Sequence, residues 1–146
     1  MPEAPPSVGQ DLRHAILARI TQIPIFSTLG MEGVDFAPGW CRVRIPRQAR
    51  WDGIFASLHG GILMTLADST AAFAILTLSG PQAVITTTDM NIRFLAPCLS
   101  GATATARVIK AGRSLCPCAV DIHDDEGKLV AVAQVTYMRL GGGEGS

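Results

Sequence analysis

The stretch that decides the fold runs from residue 59 to residue 69 and reads His59-Gly60-Gly61-Ile62-Leu63-Met64-Thr65-Leu66-Ala67-Asp68-Ser69. Its two glycines open a helical pattern that continues to Leu76 and is apolar on nearly every side, with Asp68 as the only ionisable side chain. A helix that is apolar all round is typical of a protein core, because none of its faces suits water. The pattern therefore predicts one long central helix around which the rest of the chain folds.

A lone carboxylate in the middle of this helix favours a catalytic role. Burying an unpaired carboxylate is costly, and folding alone gives no reason to accept that cost. The start of the helix at His59, Gly60 and Gly61 offers free backbone N–H groups at the positive end of the helix dipole, which suit an oxyanion or a polarised carbonyl. Each residue alone also has a structural explanation, as a polar helix start, a packing glycine or a hydrogen-bond acceptor. The combination indicates an acyl-transfer site.

Helix geometry separates the two halves of this site. At ~1.5 Å rise per residue, Asp68 lies roughly 10–13 Å along the axis from the donors at 59–61, so the two cannot act on one carbonyl in one chain. Two such helices packed antiparallel about a two-fold axis bring the donors of one chain near the carboxylate of the other. Most homodimer interfaces are isologous in this way. We therefore expect a site shared between subunits.

Composition limits the class of protein. The chain has 146 residues, of which 48% are hydrophobic and 16% charged, and its formal net charge is zero. These values predict a single domain at 11–140 whose surface is partly covered by another subunit, and they argue against nucleic-acid or membrane partners. Residues 1–10 are acidic, proline-rich and unlike a secretory signal, so we expect a disordered lead and a cytoplasmic protein. The glycine-rich residues 141–146 are expected to form a flexible tail.

The cysteines and histidines give no metal-binding pattern. The pair Cys116 and Cys118 lacks the C-x-x-C spacing of zinc and redox motifs, and the three histidines have no spacing that suits a ligand set. We therefore expect buried reduced thiols and no metal.

The remaining patterns predict an α+β fold. Asp11 can cap a helix with an apolar stripe that Pro24 closes. A hairpin is expected from Met31 to Ile45 around Ala37-Pro38-Gly39, and residues 46–58 form a loop into the central helix. Four strands are expected after that helix, at 83–95, 102–111, 115–124 and 129–139, the last two joined by a turn at 124–127. One antiparallel sheet wrapped around one long helix satisfies this order.

This order, with the His-Gly-Gly…Leu-Ala-Asp string that opens the central helix, resembles the hotdog-fold acyl-CoA thioesterases of the PaaI type. The resemblance extends from the N-terminal helix to Met138. The strand from Thr86 to Pro97 ends in the Phe-x-x-Pro of these proteins, and residues 112–114 with 125–131 match their last hairpin. The resemblance implies hydrolysis of an acyl-CoA or aryl-CoA thioester by a homodimer or a dimer of dimers. Coenzyme A enters as part of the substrate, and no other cofactor is implied.

The resemblance also implies roles for individual residues. Gly61, with Gly60, offers a backbone N–H to the thioester carbonyl. Asp68 from the partner subunit acts as general base for water or as nucleophile, Thr87 helps to place the water, and His59 belongs to the same motif.

Substrate contacts are implied by the same matching stretches. Arg113 is a candidate for the phosphates of coenzyme A, and an equally good alternative is a solvated turn arginine. Arg93, Ser114 and Asp52 are further candidates. The walls of the acyl pocket are expected from Leu58, Leu63 and Phe73, which suit a ring or a medium chain.

One position departs from the resemblance. These thioesterases have an asparagine six residues before the histidine, and this chain has Gly53 there, with Asp52 one place earlier. Either Asp52 replaces the asparagine or the polar contact is missing.

Two other functions deserve comparison. A hotdog dehydratase of 3-hydroxyacyl thioesters uses a histidine base in a phenylalanine- and proline-rich context, which His59 before two glycines does not resemble. A non-catalytic acyl-CoA-binding protein gains nothing from the carboxylate of Asp68, although the change at Gly53 favours it modestly.

Overall fold

The computed structural model describes residues 1–141, and the part of the predicted flexible tail beyond Gly141 lies outside them. A single turn of 3-10 helix at Ala49–Trp51 interrupts the loop before the central helix. In chain order the helices and strands are α1 (Gln10–Ile20), α2 (Pro24–Thr28), β1 (Glu32–Ala37), β2 (Trp40–Ile45), α3 (Gly60–Ser79), β3 (Ile85–Phe94), β4 (Ala102–Val108), β5 (Leu115–Asp124) and β6 (Leu129–Arg139).

The six strands form one antiparallel sheet in the order β1-β2-β4-β5-β6-β3. The helix α3 packs against one face of this sheet, chiefly on β2, β4 and β5. The predicted α+β architecture, a sheet wrapped around one long helix, is therefore confirmed. Within the described residues, β3 is hydrogen-bonded to a neighbour on one side only and leaves a ten-residue edge.

The core lies between α3 and the sheet. Along β2 buried residues alternate with half-buried ones, as expected for a strand with one face on the core. By length and composition α3 is apolar enough to cross a membrane, but 56% of its most apolar window is buried inside this fold. The four cysteine thiols are unpaired and buried in the same core.

The helix α3 is not equally buried on all sides, contrary to the prediction. Gly61, Thr65, Asp68 and Ala72 follow one another at helical spacing and form its uncovered stripe, exposed or half-buried in the single chain. Small side chains and one carboxylate make up this stripe. The sequence pattern missed it because glycine, threonine and alanine do not read as a polar face. Asp68 therefore lies at the border of the core rather than inside it.

The N-terminal region corrects two predictions. The helix α1 begins at Gln10 with Gly9 as its N-cap, so Asp11 lies in the first turn, where its charge suits the helix dipole, and does not cap the helix. Pro24 occupies the first turn of α2, a place where its missing N–H costs nothing. Before α1, the backbone N–H of Val8 donates to the carbonyl of Phe36 on β1, so the lead contacts the sheet.

Candidate active site

The start of α3 has its own N-cap. His59 precedes the helix, and its Nδ1 accepts a hydrogen bond of 2.8 Å from the backbone N–H of Gly61. In the neutral imidazole the proton therefore resides on Nε2, because Nδ1 acts as acceptor. Among the described residues, the backbone N–H of Gly60 has no acceptor. The donor available to an incoming carbonyl is thus Gly60 rather than Gly61, which was the first choice from the sequence.

An aromatic ring lies directly against this donor. A Cβ added at Gly60 would lie 3.0 Å from Cζ of Phe94, so only glycine lets the ring approach so closely without a shift. Phe94 and Gly60 both line a cleft of about 460 Å³. Leu58 and Leu63, two of the three residues expected to form the acyl pocket, line it too. Phe73 does not, because its ring packs in the core with its centroid 6.5 Å from that of Phe26.

Asp68 is held by two hydroxyl groups from the sheet. Thr87 on β3 donates to Oδ1 of Asp68 at 2.7 Å, and the phenol of Tyr137 on β6 lies 2.8 Å from the same oxygen. Within residues 1–141 no side-chain donor contacts Oδ2 of Asp68. One carboxylate oxygen is thus anchored, and the other is free to accept a proton or to attack a carbonyl. The structure thus brings together Asp68 and Thr87, two of the candidate catalytic residues.

The sequence interpretation missed Tyr137. It is the only tyrosine in the chain and is buried, and burial raises the pKa of its phenol well above the usual range. A signal was present, because Val135 and Tyr137 alternate with polar neighbours and must share the inward face of β6. The register that places Tyr137 beside Thr87 was not visible in the sequence.

Asp52, in the loop before α3, is bound by Arg47. The Arg47 guanidinium contacts both of its carboxylate oxygens, at 3.2 and 2.6 Å, and also donates to the carbonyls of Ala56 and Leu99. Hydrogen bonding to Arg47 lowers the pKa of Asp52. A Cβ at Gly53 would lie 3.6 Å from Cδ2 of His59, an ordinary contact. The position beside His59 therefore has room for a side chain but carries none, while Asp52, with both carboxylate oxygens bound by Arg47, lines a cavity of about 300 Å³ together with His59 and Gly61.

Three further predicted residues are spread over the sheet. Ile92 packs on the core and Phe94 on Gly60, so alternation along β3 places Arg93 on the outer face, away from Asp68. Arg113 and Ser114 are exposed in the connection from β4 to β5. That connection lies at the end of the sheet where β5 begins, close to the strand pair that carries Thr87 and Tyr137.

In the single chain the two halves of the site stay apart. Gly60 and Asp68 are separated by eight residues of continuous helix, or about 12 Å along the axis. The donor lies at one end of α3 beside the cleft, and the carboxylate lies in its middle beside β3 and β6.

Comparisons with known proteins agree with this geometry. A profile of the thioesterase superfamily matches residues 55–131. The chain is 32% identical to human acyl-coenzyme A thioesterase 13 over 135 residues, which cover 89% of this chain and 95% of that protein. It is 32% identical to a putative esterase of Haemophilus influenzae over 111 residues, 75% of this chain and 80% of that one.

Solved structures give the same result. The PaaI protein from the phenylacetic acid degradation operon of E. coli superimposes with a TM-score of 0.81 and 25% sequence identity, covering 91% of this chain and 99% of that one. The fold is thus matched over nearly the full length of both chains. The chain belongs to the thioesterase superfamily and has the hotdog fold.

Proposed function

We propose that the protein hydrolyses an acyl-CoA or aryl-CoA thioester to the free acid and coenzyme A, at a site shared between two subunits. The observation that carries this proposal is the carboxylate of Asp68, held at one oxygen by two hydroxyls and free at the other. Membership of the thioesterase superfamily and the name of the human relative support this substrate class.

The residues can divide the reaction between them. The N–H of Gly60 donates to the thioester oxygen and stabilises the negative charge that develops there. Asp68 either takes a proton from a water that attacks the carbonyl carbon or attacks that carbon itself. The C–S bond then breaks, and the thiolate of coenzyme A takes up a proton. If water attacks the carbonyl, the products are the acid and the thiol. If Asp68 attacks it, a mixed anhydride forms on Asp68, and one further water hydrolyses this anhydride to the same products.

Two features support the shared site. The edge of β3 has backbone groups free to pair with a second copy, and an unpaired edge of this length invites a partner strand. The uncovered stripe of α3 lies on the same side of the molecule as Thr87 of β3, which contacts Asp68. Isologous pairing covers both features at once and brings Gly60 of one subunit towards the partner's Asp68. A dimer of dimers is compatible with the same pairing.

Arg113 is a candidate for binding coenzyme A from the same subunit that supplies the carboxylate of Asp68. It is exposed at the end of the sheet near Thr87 and Tyr137, so its guanidinium can reach a phosphate of coenzyme A that extends past the partner's Gly60. The proposal needs no cofactor besides the coenzyme A of the substrate. It also assigns the protein to the cytoplasm, where acyl-CoA esters are available.

A panel of aliphatic and aromatic acyl-CoA esters with a thiol-reactive dye tests the activity directly. We expect release of free thiol from at least one ester, and loss of this release in Asp68→Asn. Tight binding of acyl-CoA without release of thiol would favour the alternative, a non-catalytic acyl-CoA-binding protein.

Subunit complementation tests the shared site. Gly60→Pro removes the donor N–H at a helix position that tolerates proline, and Asp68→Asn removes the acid. Each homodimer then lacks one half of both sites, whereas the heterodimer contains one site with both halves intact. Co-expression with two different tags and tandem purification yields the heterodimer, and we expect it to regain activity. An inactive heterodimer, or a stable active monomer, would refute a site built from two chains.

A further inference from the structure

Strand β6, the last in chain order, carries a tyrosine whose hydroxyl contacts the candidate catalytic carboxylate of Asp68. We propose that Tyr137 is a positioning residue that fixes the carboxylate of Asp68 for the reaction. This inference rests on the proposed thioesterase function and adds to it a residue that does not itself meet the substrate.

The phenol contacts both the side chain and the backbone of Asp68. Its oxygen lies 2.8 Å from Oδ1 and 2.9 Å from the main-chain carbonyl oxygen of the same residue. A phenol has one proton to donate, so the two acceptors share it. A single side chain therefore restrains the helix backbone at Asp68 and the rotation of its carboxylate.

The ring is itself held firmly. Tyr137 is only 6% exposed and lies on β6, which is hydrogen-bonded to β5 on one side and to β3 on the other. Its neighbours in the register are Cys116 on β5 and Thr87 on β3. Burial raises the pKa of the phenol, so the hydroxyl keeps its proton and remains a donor at neutral pH. The hydroxyl is therefore placed by the most extensively paired part of the sheet.

Thr87 and Tyr137 act on the same oxygen. Thr87 donates to Oδ1 at 2.7 Å from the strand next to Tyr137. Two donors at one oxygen fix the plane of the carboxylate and turn Oδ2 away from the sheet. Orientation of a reacting group to within a fraction of an ångström is worth large factors in rate, because a displacement of about 1 Å can cost ~100-fold.

Tyr137→Phe tests the proposal, since it removes only the hydroxyl. We expect kcat for acyl-CoA hydrolysis to fall by about 10–100-fold with little change in KM. Thr70→Val is the matched control, because Thr70 is a fully buried hydroxyl on α3 that bonds only the carbonyl of Leu66. It should leave kcat unchanged.

A double-mutant cycle separates positioning from stability. If Tyr137 and Thr87 restrain the same oxygen, the effects of Tyr137→Phe and Thr87→Val on kcat should not add, whereas independent losses would. A Tyr137→Phe protein with wild-type kcat, even with a lower Tm, would overturn the positioning role. A wild-type protein that releases no thiol would instead overturn the proposed function on which it rests.

A fluorinated tyrosine at position 137 gives a second test that keeps the ring and its oxygen in place. Tetrafluorination of the ring makes the phenol far more acidic, enough to outweigh the rise in pKa that burial causes, so the donor is lost by deprotonation as the pH rises. We expect kcat of this variant to fall over an alkaline range in which the wild-type kcat is flat. A flat profile in the fluorinated protein would contradict the proposal, even if Tyr137→Phe failed to fold.

Discussion

Asp68→Asn separates the chemistry of the carboxylate from its structural contacts. Thr87 and Tyr137 approach one oxygen of Asp68 at 2.7 and 2.8 Å, and the amide oxygen of asparagine can accept both hydrogen bonds in the same place. The variant therefore keeps its geometry but loses the base or nucleophile. We expect kcat to fall by ~10²–10⁴-fold, equivalent to about 2.7–5.4 kcal/mol of transition-state stabilisation, with KM little changed.

The same contacts set an upper limit on the loss of stability in Asp68→Asn. Both hydrogen bonds change from charge-assisted to neutral, a loss of roughly 1 kcal/mol each, and relief of the half-buried charge offsets part of it. We expect the free energy of unfolding to fall by no more than about 2 kcal/mol, which at ~2–4 °C per kcal/mol lowers Tm by up to ~8 °C. Thiol release and thermal unfolding are measured on one preparation. Asp121→Asn, the same change at an exposed position on β5, is the control.

The opposite result, a large loss of stability with little loss of activity, would show that Asp68 has a purely structural role. Near wild-type thiol release per folded molecule, together with a Tm loss well beyond this bound, would refute the catalytic assignment. It would leave the hydrogen bonds from Thr87 and Tyr137 as ordinary packing of α3 on the sheet.

Three further predictions concern the cleft, coenzyme A and pH. Gly60→Ala should shift the Phe94 ring, whose tip lies 3.0 Å from the new Cβ, by a few tenths of an ångström and lower kcat/KM several-fold, whereas Gly53→Ala, with only a 3.6 Å contact, should change kcat/KM little; equal effects would contradict this. Arg113→Ala should raise KM for acyl-CoA and spare kcat, and leave a short thioester without the nucleotide unaffected; equal loss on both substrates would make Arg113 structural. Burial, with nearby cations, lowers the pKa of His123, so the unfolded chain binds its proton first and the free energy of unfolding falls as pH drops below about 6.5. Urea unfolding above and below this pH should show that the free energy of unfolding depends less on pH in His123→Gln than in the wild type. An unchanged pH dependence would refute the role of His123.

The secondary structure could be predicted because its periods are strong and local. The strands predicted at 115–124 and 129–139 have those bounds in the structure, and the hairpin around Ala37-Pro38-Gly39 is confirmed. The helix α3 ends at Ser79, and Gly80 follows it at a positive φ of 98° that favours glycine. Each of these features depends on side-chain alternation or on the backbone preference of one residue, both of which a single sequence displays.

The contacts within the site could be predicted only in part, because they join distant residues. Tyr137 and Asp68 are 69 residues apart, and only the pairing of β6 with β3 and β5 brings the phenol to the carboxylate. The pairing of Asp52 with Arg47 is local, but the sequence analysis did not predict it, because no pattern distinguishes this arginine from its neighbours. The preference for Gly60 over Gly61 as donor depends on the rotamer of His59, which no spacing rule fixes.

The way the carboxylate is held explains why the proposed site needs two chains. A group bound at the start of a helix cannot reach a side chain in the middle of the same helix, and in α3 about 12 Å separate Gly60 from Asp68. Asp68 lies on the uncovered stripe of α3, and Thr87, which orients it, lies on β3, which among residues 1–141 is paired on one side only. The stripe of α3 and the strand β3 that hold the carboxylate of Asp68 are therefore the same surfaces that a second copy of the chain can contact. In the proposed dimer, folding of one chain orients the carboxylate, and assembly supplies the donor that it acts with.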